Sequence, residues 1–229
     1  MSYFSRVSID SASVNASRLV KEVCVNAYRE HQHLWRLFAV DPDAERDFLF
    51  RREQPAGGFP RFYLLSAREP QHDNTVWQVE TKTYRPAIRT GQHLAFSLRV
   101  NPVVTRKNAQ GRQVRHDVVM DLKYRTGFKE LSLSKRPLLN ELIQQAGLEW
   151  LQKRAERHGF SISPESVRVE GYQQHRAFKK GGKTPIRYST LDFTGLLTVT
   201  EAGLFRQTLI KGIGSAKAFG CGLLLVKHT

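Results

Sequence analysis

Cysteine is nearly absent from this chain: of 229 residues only Cys24 and Cys221 carry a thiol. They lie far apart without the CxxC spacing of a zinc or redox site, so neither a structural metal nor a disulfide framework is expected, and a reducing compartment is the simplest setting. Both read as small core hydrophobes. Long apolar runs are missing too. No stretch approaches the ~20 residues of a membrane span, and no lipid-anchor motif accompanies a basic amphipathic helix. The first residues, Met1 to Ile9, alternate like a strand and lack the apolar core of a signal peptide, so the expected location is the cytoplasm.

Acidic residues are the third shortage. Lysine and arginine number 36 against 21 acids, a formal charge of +15 with an isoelectric point near 10.2. The acids are scattered, and no cluster sits at a strand end as a metal-dependent nuclease would need. No metal and no other cofactor are expected. The basic excess favours a polyanionic partner, with nucleic acid leading and an anionic membrane surface as the competing reading.

Glycine, by contrast, is concentrated where it attracts notice. Lys211-Gly212-Ile213-Gly214-Ser215-Ala216-Lys217-Ala218-Phe219-Gly220-Cys221-Gly222 places four glycines and two lysines in twelve positions, directly before the apolar Leu223 to Val226. Glycine allows positive φ and close backbone approach, and lysine suits a phosphate, so the segment reads as an anion cradle. It lacks Gly-Lys-Ser/Thr and precedes its strand, which excludes a nucleotide P-loop and a dinucleotide fingerprint. A tight helix-to-strand connection that needs glycine for geometry alone explains the same residues.

The length allows one large domain or two of about 100 residues, and the periodicity favours two. In the first half a strand over residues 2 to 9 precedes a helical stretch from Ser17 to Phe38 that Asp41-Pro42-Asp43 ends. Strands follow at Phe48 to Arg51 and Phe62 to Ser66, joined through Gln54 to Gly58, then a weak helix near Gln71 to Thr75 and a strand at Trp77 to Tyr84. In the second half a strand at Leu94 to Val100 leads into Thr105 to Asp117, a polar segment expected to be a basic loop. A helix from Pro137 to Arg157 is capped by Gly159; strands at Ser166 to Gln174 and Tyr188 to Thr198 flank Lys179-Lys180-Gly181-Gly182-Lys183; a helix over Glu201 to Ile210 and a last strand complete the chain. Strand, helix, two strands, helix, strand is the ferredoxin-like order shared with RNA-recognition domains. The expected fold is α+β: tandem ferredoxin-like (RRM-like) domains over 1–90 and 91–229, with antiparallel sheets and helices on one face.

Chemistry without metal is available for RNA, whose 2′-hydroxyl can attack the neighbouring phosphate when a base takes its proton and an acid protonates the leaving 5′-oxygen. Histidine serves both transfers near neutral pH. In Tyr28-Arg29-Glu30-His31-Gln32-His33, Tyr28 and His31 stand three apart and share a helical face, whereas His33 points elsewhere. An ordinary polar helix edge accounts for the same spacing. Arg106, Lys107 and the lysines 179, 180 and 183 read either as solvated loops or as phosphate-facing clamps that position the backbone.

Four motifs in order give the chain a family resemblance: Tyr28-Arg-Glu-His31-Gln-His-Leu-Trp35-Arg-Leu-Phe38; Asp43-Ala-Glu-Arg46-Asp47-Phe48-Leu49-Phe50; Phe96-Ser-Leu-Arg99-Val-Asn101-Pro102; and Gly212-Ile-Gly214-Ser-Ala-Lys217-Ala-Phe-Gly220-Cys221-Gly222-Leu223-Leu224. Over nearly its whole length it resembles the CasE endoribonucleases of type I-E CRISPR systems. That resemblance implies a metal-independent cut at the base of the CRISPR repeat hairpin, leaving a 2′,3′-cyclic phosphate and a 5′-hydroxyl. It implies His31 as the catalytic histidine and Tyr28 as its helper, orienting the scissile nucleotide. It further implies a protein that keeps its product and joins the Cascade complex bound to the 3′ hairpin; the free protein is expected to be a monomer. Backbone contacts are expected from Lys211, Gly212, Gly214, Lys217, Gly220 and Gly222, with stem contacts from Lys179, Lys180, Lys183, Arg106 and Lys107. A non-catalytic subunit that holds structured RNA is the alternative from another class.

Overall fold

The computed structural model describes residues 1–38, 47–56, 58–71, 76–178 and 184–229. Ten strands and five α-helices among them form two compact units, each discontinuous in sequence. The first comprises Met1–Ala87, Ala177–Ile186 and Ile210–Leu223; the second comprises Ile88–Arg176, Arg187–Leu209 and Leu224–Thr229. The glycine-rich segment, expected within 91–229, is thus packed in the first unit.

In the first unit β1 (Tyr3–Ile9), β2 (Phe48–Glu53), β3 (Arg61–Ser66) and β4 (Trp77–Thr83) form an antiparallel sheet in the order β2-β3-β1-β4. This is the ferredoxin-like order, in which the first and third strands are central. Val7 stands opposite Phe62 on one side and Val79 on the other, so the alternation of β1 is continued across the sheet. Val7, Phe48, Phe50, Phe62 and Leu64 meet Val23, Leu34, Leu37 and Phe38 of the helical segment in one core. The single helix expected from Ser17 to Phe38 is two, α1 (Ala16–Val23) and α2 (Ala27–Trp35). Asn26 makes the break: its extended backbone leaves the helix, and its side chain accepts from the Arg29 N–H at 3.0 Å to start the next one. The terminator Asp41-Pro42-Asp43 and most of the weak helix near Gln71 to Thr75 lie outside the described residues.

The second unit repeats the topology. β5 (His93–Val100), β8 (Phe160–Ala177), β9 (Ile186–Val199) and β10 (Leu224–His228) take the order β10-β5-β9-β8. α4 (Leu139–Ala155) lies close on β8, because a Cβ on Gly147 would come within 2.4 Å of Val169 Cγ1. The Gln144 side chain, on that helix, donates to Val167 O and accepts from Val169 N, both at 2.8 Å, satisfying the backbone of an edge strand. Trp150 stacks on Phe193 and Phe160 meets Phe205 of α5 (Ala202–Lys211) edge-on, so both helices share the buried side of the sheet. Gly159 ends the α4 segment in the left-handed region, φ 73°, as a C-terminal cap.

Two expectations are corrected. Thr105 to Asp117 is not a loop: β6 (Val103–Lys107) and β7 (Gln113–Asp117) form an antiparallel hairpin turning at Gly111. A helix not anticipated, α3 (Val118–Arg125), follows at once, capped by Asp117, whose carboxylate accepts from the Met120 N–H at 2.9 Å.

Candidate active site and nucleic-acid interface

α2 carries two functions on opposite sides. Glu30, His33 and Leu34 are buried, while Tyr28, His31, Gln32 and Trp35 remain partly exposed. Phe48 and Phe50, two apart on β2 and so on one face of the sheet, form the floor beneath His31. The imidazole stacks on Phe48 with centroids 5.3 Å apart and planes 15° from parallel. Trp35 and Phe50 flank it at 5.8 and 6.2 Å. Tyr28 shares the exposed face, and its hydroxyl accepts from Gln32 Nε2 at 3.3 Å.

Below the helix an ion pair fixes its height. Glu30 Oε1 accepts from Arg52 Nη1 at 2.7 Å, and Arg52 Nη2 donates to Gln54 Oε1 at 3.0 Å. The Glu30 side chain is only 6% exposed, so its charge depends on that guanidinium. His33 lies on the buried side, where desolvation, aided by Arg36, pushes its pKa below the ordinary value. That environment suits a core residue, in keeping with its position off the Tyr28–His31 face.

The glycine-rich segment closes on the same floor. Its short 3₁₀ turn, Lys217–Phe219, packs against both α2 and β2. Gly220 is buried there, and an added Cβ would stand 3.3 Å from the Phe50 ring. Gly212 is tighter: at φ 72° its Cβ would fall 2.7 Å from both Gly222 O and Leu49 Cδ1. Ile213 N–H donates to Gly222 O at 2.9 Å and cinches the base of the loop. Packing against backbone therefore requires Gly212 and Gly222, whose added Cβ would lie 2.7 Å from Gly222 O and 2.9 Å from Ile213 O respectively; Gly220 is in close contact with a ring, and Gly214 alone of the four is exposed. The lysines are placed differently. Lys217 Nζ donates to Lys211 O at 2.6 Å, and both lysines line a cavity of about 330 Å³ together with Ser2, Asp47 and Ser66. Asp47 is taken by Arg68, at 2.6 and 3.0 Å, which holds its carboxyl below the usual range. The cavity thus keeps a cationic edge suited to a phosphate.

The first unit therefore brings together Tyr28, His31, Lys211, Lys217 and the four glycines. Arg106 and Lys107 sit on the β6–β7 hairpin of the second unit. Arg106 makes a bidentate pair with Asp121, at 3.0 and 2.7 Å, and Arg125 binds the same carboxylate, which is held below its ordinary pKa; Lys107 is exposed. Lys179, Lys180 and Lys183 lie outside the described residues. Among the described residues no group of three or more His, Cys, Asp or Glu is arranged to hold a metal ion, and no helix is long and apolar enough to cross a membrane. Sequence reasoning missed Phe48 and Phe50 as the imidazole floor, and the Glu30–Arg52 pair beneath the helix. Phe48-Leu-Phe50 carried the signal, since the i, i+2 spacing puts two rings on one side of a strand.

Comparison with known proteins gives the family and the fold. The family model described as CRISPR associated protein matches residues 2–228. The Cascade subunit CasE of Escherichia coli K12 is 32% identical over 201 residues, covering 86% of this chain and 89% of that protein. The CRISPR-associated endoribonuclease Cse3 of Thermus thermophilus is 27% identical over 226 residues, 92% and 94% of the two chains. A solved structure of Thermus thermophilus Cse3, bound to an RNA representing a pre-cleavage complex, superposes with a TM-score of 0.68 at 24% identity, covering 99% of this chain and 98% of that one; the fold is shared. With a family model spanning nearly the whole chain and two full-length relatives, the protein belongs to the CasE/Cse3 family of CRISPR-associated endoribonucleases.

Proposed function

We propose that this protein cuts precursor CRISPR RNA at the base of its repeat hairpin without metal, using the 2′-hydroxyl as nucleophile, and that it retains the product within Cascade in the cytoplasm. The observation that carries the reading is the placement of His31: a partly exposed residue whose imidazole is fixed on an aromatic floor with Nε2 turned inward, with Tyr28 on the same helical face and the Lys217 turn packed on the same helix.

In this reading His31 moves a proton at the 2′-oxygen during attack or at the 5′-oxygen as it leaves. The phosphate closes to a 2′,3′-cyclic diester, the P–O5′ bond breaks, and the 5′-oxygen departs as a hydroxyl. Tyr28, its hydroxyl oriented by Gln32, positions the scissile nucleotide. Lys211 and Lys217 hold backbone phosphate at the cavity edge, and the basic β6–β7 hairpin offers Lys107 to a stem. These contacts position the RNA and leave sequence to base readout.

The test is incubation with a cognate repeat hairpin in EDTA. A single cut with cyclic-phosphate and 5′-hydroxyl ends supports the enzyme. Tight binding with the RNA intact would replace it with the non-catalytic binding subunit.

A further inference from the structure

The sheet of the first unit has two faces, and the function proposed above draws on only one of them. Val7 of β1 and Phe62 and Leu64 of β3 point to the helices, where they join the core. Alternation therefore turns Phe4 and Arg6 of β1, with Tyr63 and Leu65 of β3, to the face away from the helices. The register fixes their neighbours: Phe4 stands between Leu65 and Lys82, and Arg6 between Tyr63 and Glu80. Three aromatic rings meet on this face. The Phe4 and Tyr63 centroids are 5.8 Å apart with planes 16° from parallel, and Tyr84, just beyond β4, adds a ring 5.7 Å from Phe4 at 30°. All three residues remain partly exposed.

A cross-strand aromatic pair stabilises a sheet by itself, but two further features point to a ligand. The first is a cation on the same face as the rings. Lys82 is exposed, and its Nζ lies 6.0 Å from the Phe4 centroid, over the ring. The carboxylate beside it on β4, Glu80, is taken by Arg6, whose Nε donates to it at 3.1 Å, so Lys82 is left for an anion. The second feature is continuity with the catalytic side. Leu65, opposite Phe4, and Leu49, opposite Leu65 on β2, both line the 330 Å³ cavity whose edge carries Lys211 and Lys217. Phe48, the ring beneath His31, lines it as well. The cavity thus borders the imidazole floor on one side and the aromatic row on the other. A strand whose phosphate rests on Lys211 and Lys217 brings its adjoining bases to the rings.

We propose that Phe4, Tyr63 and Tyr84 form a stacking platform for unpaired nucleotides adjoining the repeat hairpin, with Lys82 on their phosphate. The proposal rests on the RNA-processing function proposed above. Aromatic side chains on a four-stranded sheet are the means by which RNA-recognition domains hold two or three bases, and Phe4 and Tyr63 stand on the two central strands. Only single-stranded segments have bases open to such stacking, so the platform takes a flank and not the stem. Every base has a π face, so it adds affinity without reading sequence.

Two RNAs test it: the repeat hairpin with a blunt base, and the same hairpin with single-stranded extensions on both sides, each carrying a 2′-deoxy scissile nucleotide so that neither is cut. Fluorescence anisotropy gives both affinities for the wild-type protein, Tyr63→Leu, Tyr63→Phe and Lys82→Ala. Lys82 is exposed, so its truncation leaves the fold in place and decides the matter if Tyr63→Leu does not fold. The wild-type protein is expected to prefer the extended RNA. Tyr63→Leu, which keeps an apolar side chain but no π face, should reduce that preference by roughly tenfold, Lys82→Ala should reduce it too, and Tyr63→Phe should retain it. Equal wild-type affinity for the two RNAs, a preference unchanged in both Tyr63→Leu and Lys82→Ala, or an equal loss in Tyr63→Phe and Tyr63→Leu overturns the platform while hairpin cleavage still stands. A wild-type protein that binds neither RNA overturns the RNA-processing function itself, and the platform with it.

Discussion

The imidazole of His31 lies on the face of Phe48, with ring centroids 5.3 Å apart and planes 15° from parallel. A stack occupies the faces of a ring, whereas proton transfer uses its edge, so one contact orients the group without competing for its chemistry. Because Phe48 is buried and packs in turn on Phe38, the orientation is inherited from the core of the first unit.

His31→Ala is expected to reduce single-turnover cleavage by about 10²–10⁴-fold while hairpin affinity stays within about tenfold, since a proton-transfer group lowers the barrier and adds little to binding. Parallel cleavage and binding assays check this. Normal cutting by the variant would remove His31 from the reaction.

The Glu30–Arg52 pair should act on stability and not on RNA affinity. Glu30→Gln keeps one hydrogen bond to Arg52 but removes the charge opposite a guanidinium that is itself one-third exposed. A loss of about 1–3 kcal/mol in urea unfolding is expected. A change near zero would mean that water screens the pair as it does on a surface.

Much of this fold was legible because buried strands alternate and long helices repeat. β1, β5 and α4 each carry an apolar face that only one element type can bury. The β6–β7 hairpin was not legible for the converse reason: solvent reaches most of its residues, so no alternation marks Thr105 to Asp117 as paired strands. α3 has only eight residues, and its start signal, Asp117 three before Met120, sits at the end of a charge-rich run that reads as loop. At the site, Tyr28 and His31 could be paired by helical spacing alone. Phe48 and Phe50 belong to another element, and no local rule brings a strand under a helix. The glycines were readable as special but not as to why: Gly212 is required by the approach of Leu49 and Gly222, residues that only the folded chain brings near it.

That distinction gives the glycine loop its own prediction. Gly212→Ala places a methyl 2.7 Å from Gly222 O and Leu49 Cδ1 at a left-handed φ, so a loss of about 2–4 kcal/mol is expected. Gly214 is exposed at φ 82°, and Gly214→Ala should cost only about 1 kcal/mol, the left-handed penalty alone. Thermal unfolding of the two variants compares them directly. Equal losses would deny that packing selects the first glycine.

Lys217 is the loop residue expected to act on RNA. Its ammonium is anchored on Lys211 O at a cavity edge where Asp47 is already paired, so Lys217→Ala should weaken hairpin binding. The slope of log affinity against log salt should also fall by about one counterion. A slope that does not move would make the lysine a solvated bystander.

Buried histidine gives the fold a pH dependence of definite sign. The folded pKa of His33 lies below its ordinary value because burial disfavours the charged ring, and His175 is shifted the same way. Below pH ~6.5 the unfolded chain takes up these protons more readily than the folded one, so stability falls as pH drops through that value toward the folded pKa values. Asp47 and Asp121 also have depressed pKa values, but their stabilisation is lost only below the ordinary carboxylate range, leaving about pH 5.5–7.5 to the histidines. Urea midpoints at about pH 7.5 and 5.5 should therefore drop for the wild-type protein and drop less for His33→Asn, which cannot titrate. Equal drops would assign the pH dependence to other groups and mean that His33 titrates alike in the folded and unfolded chain.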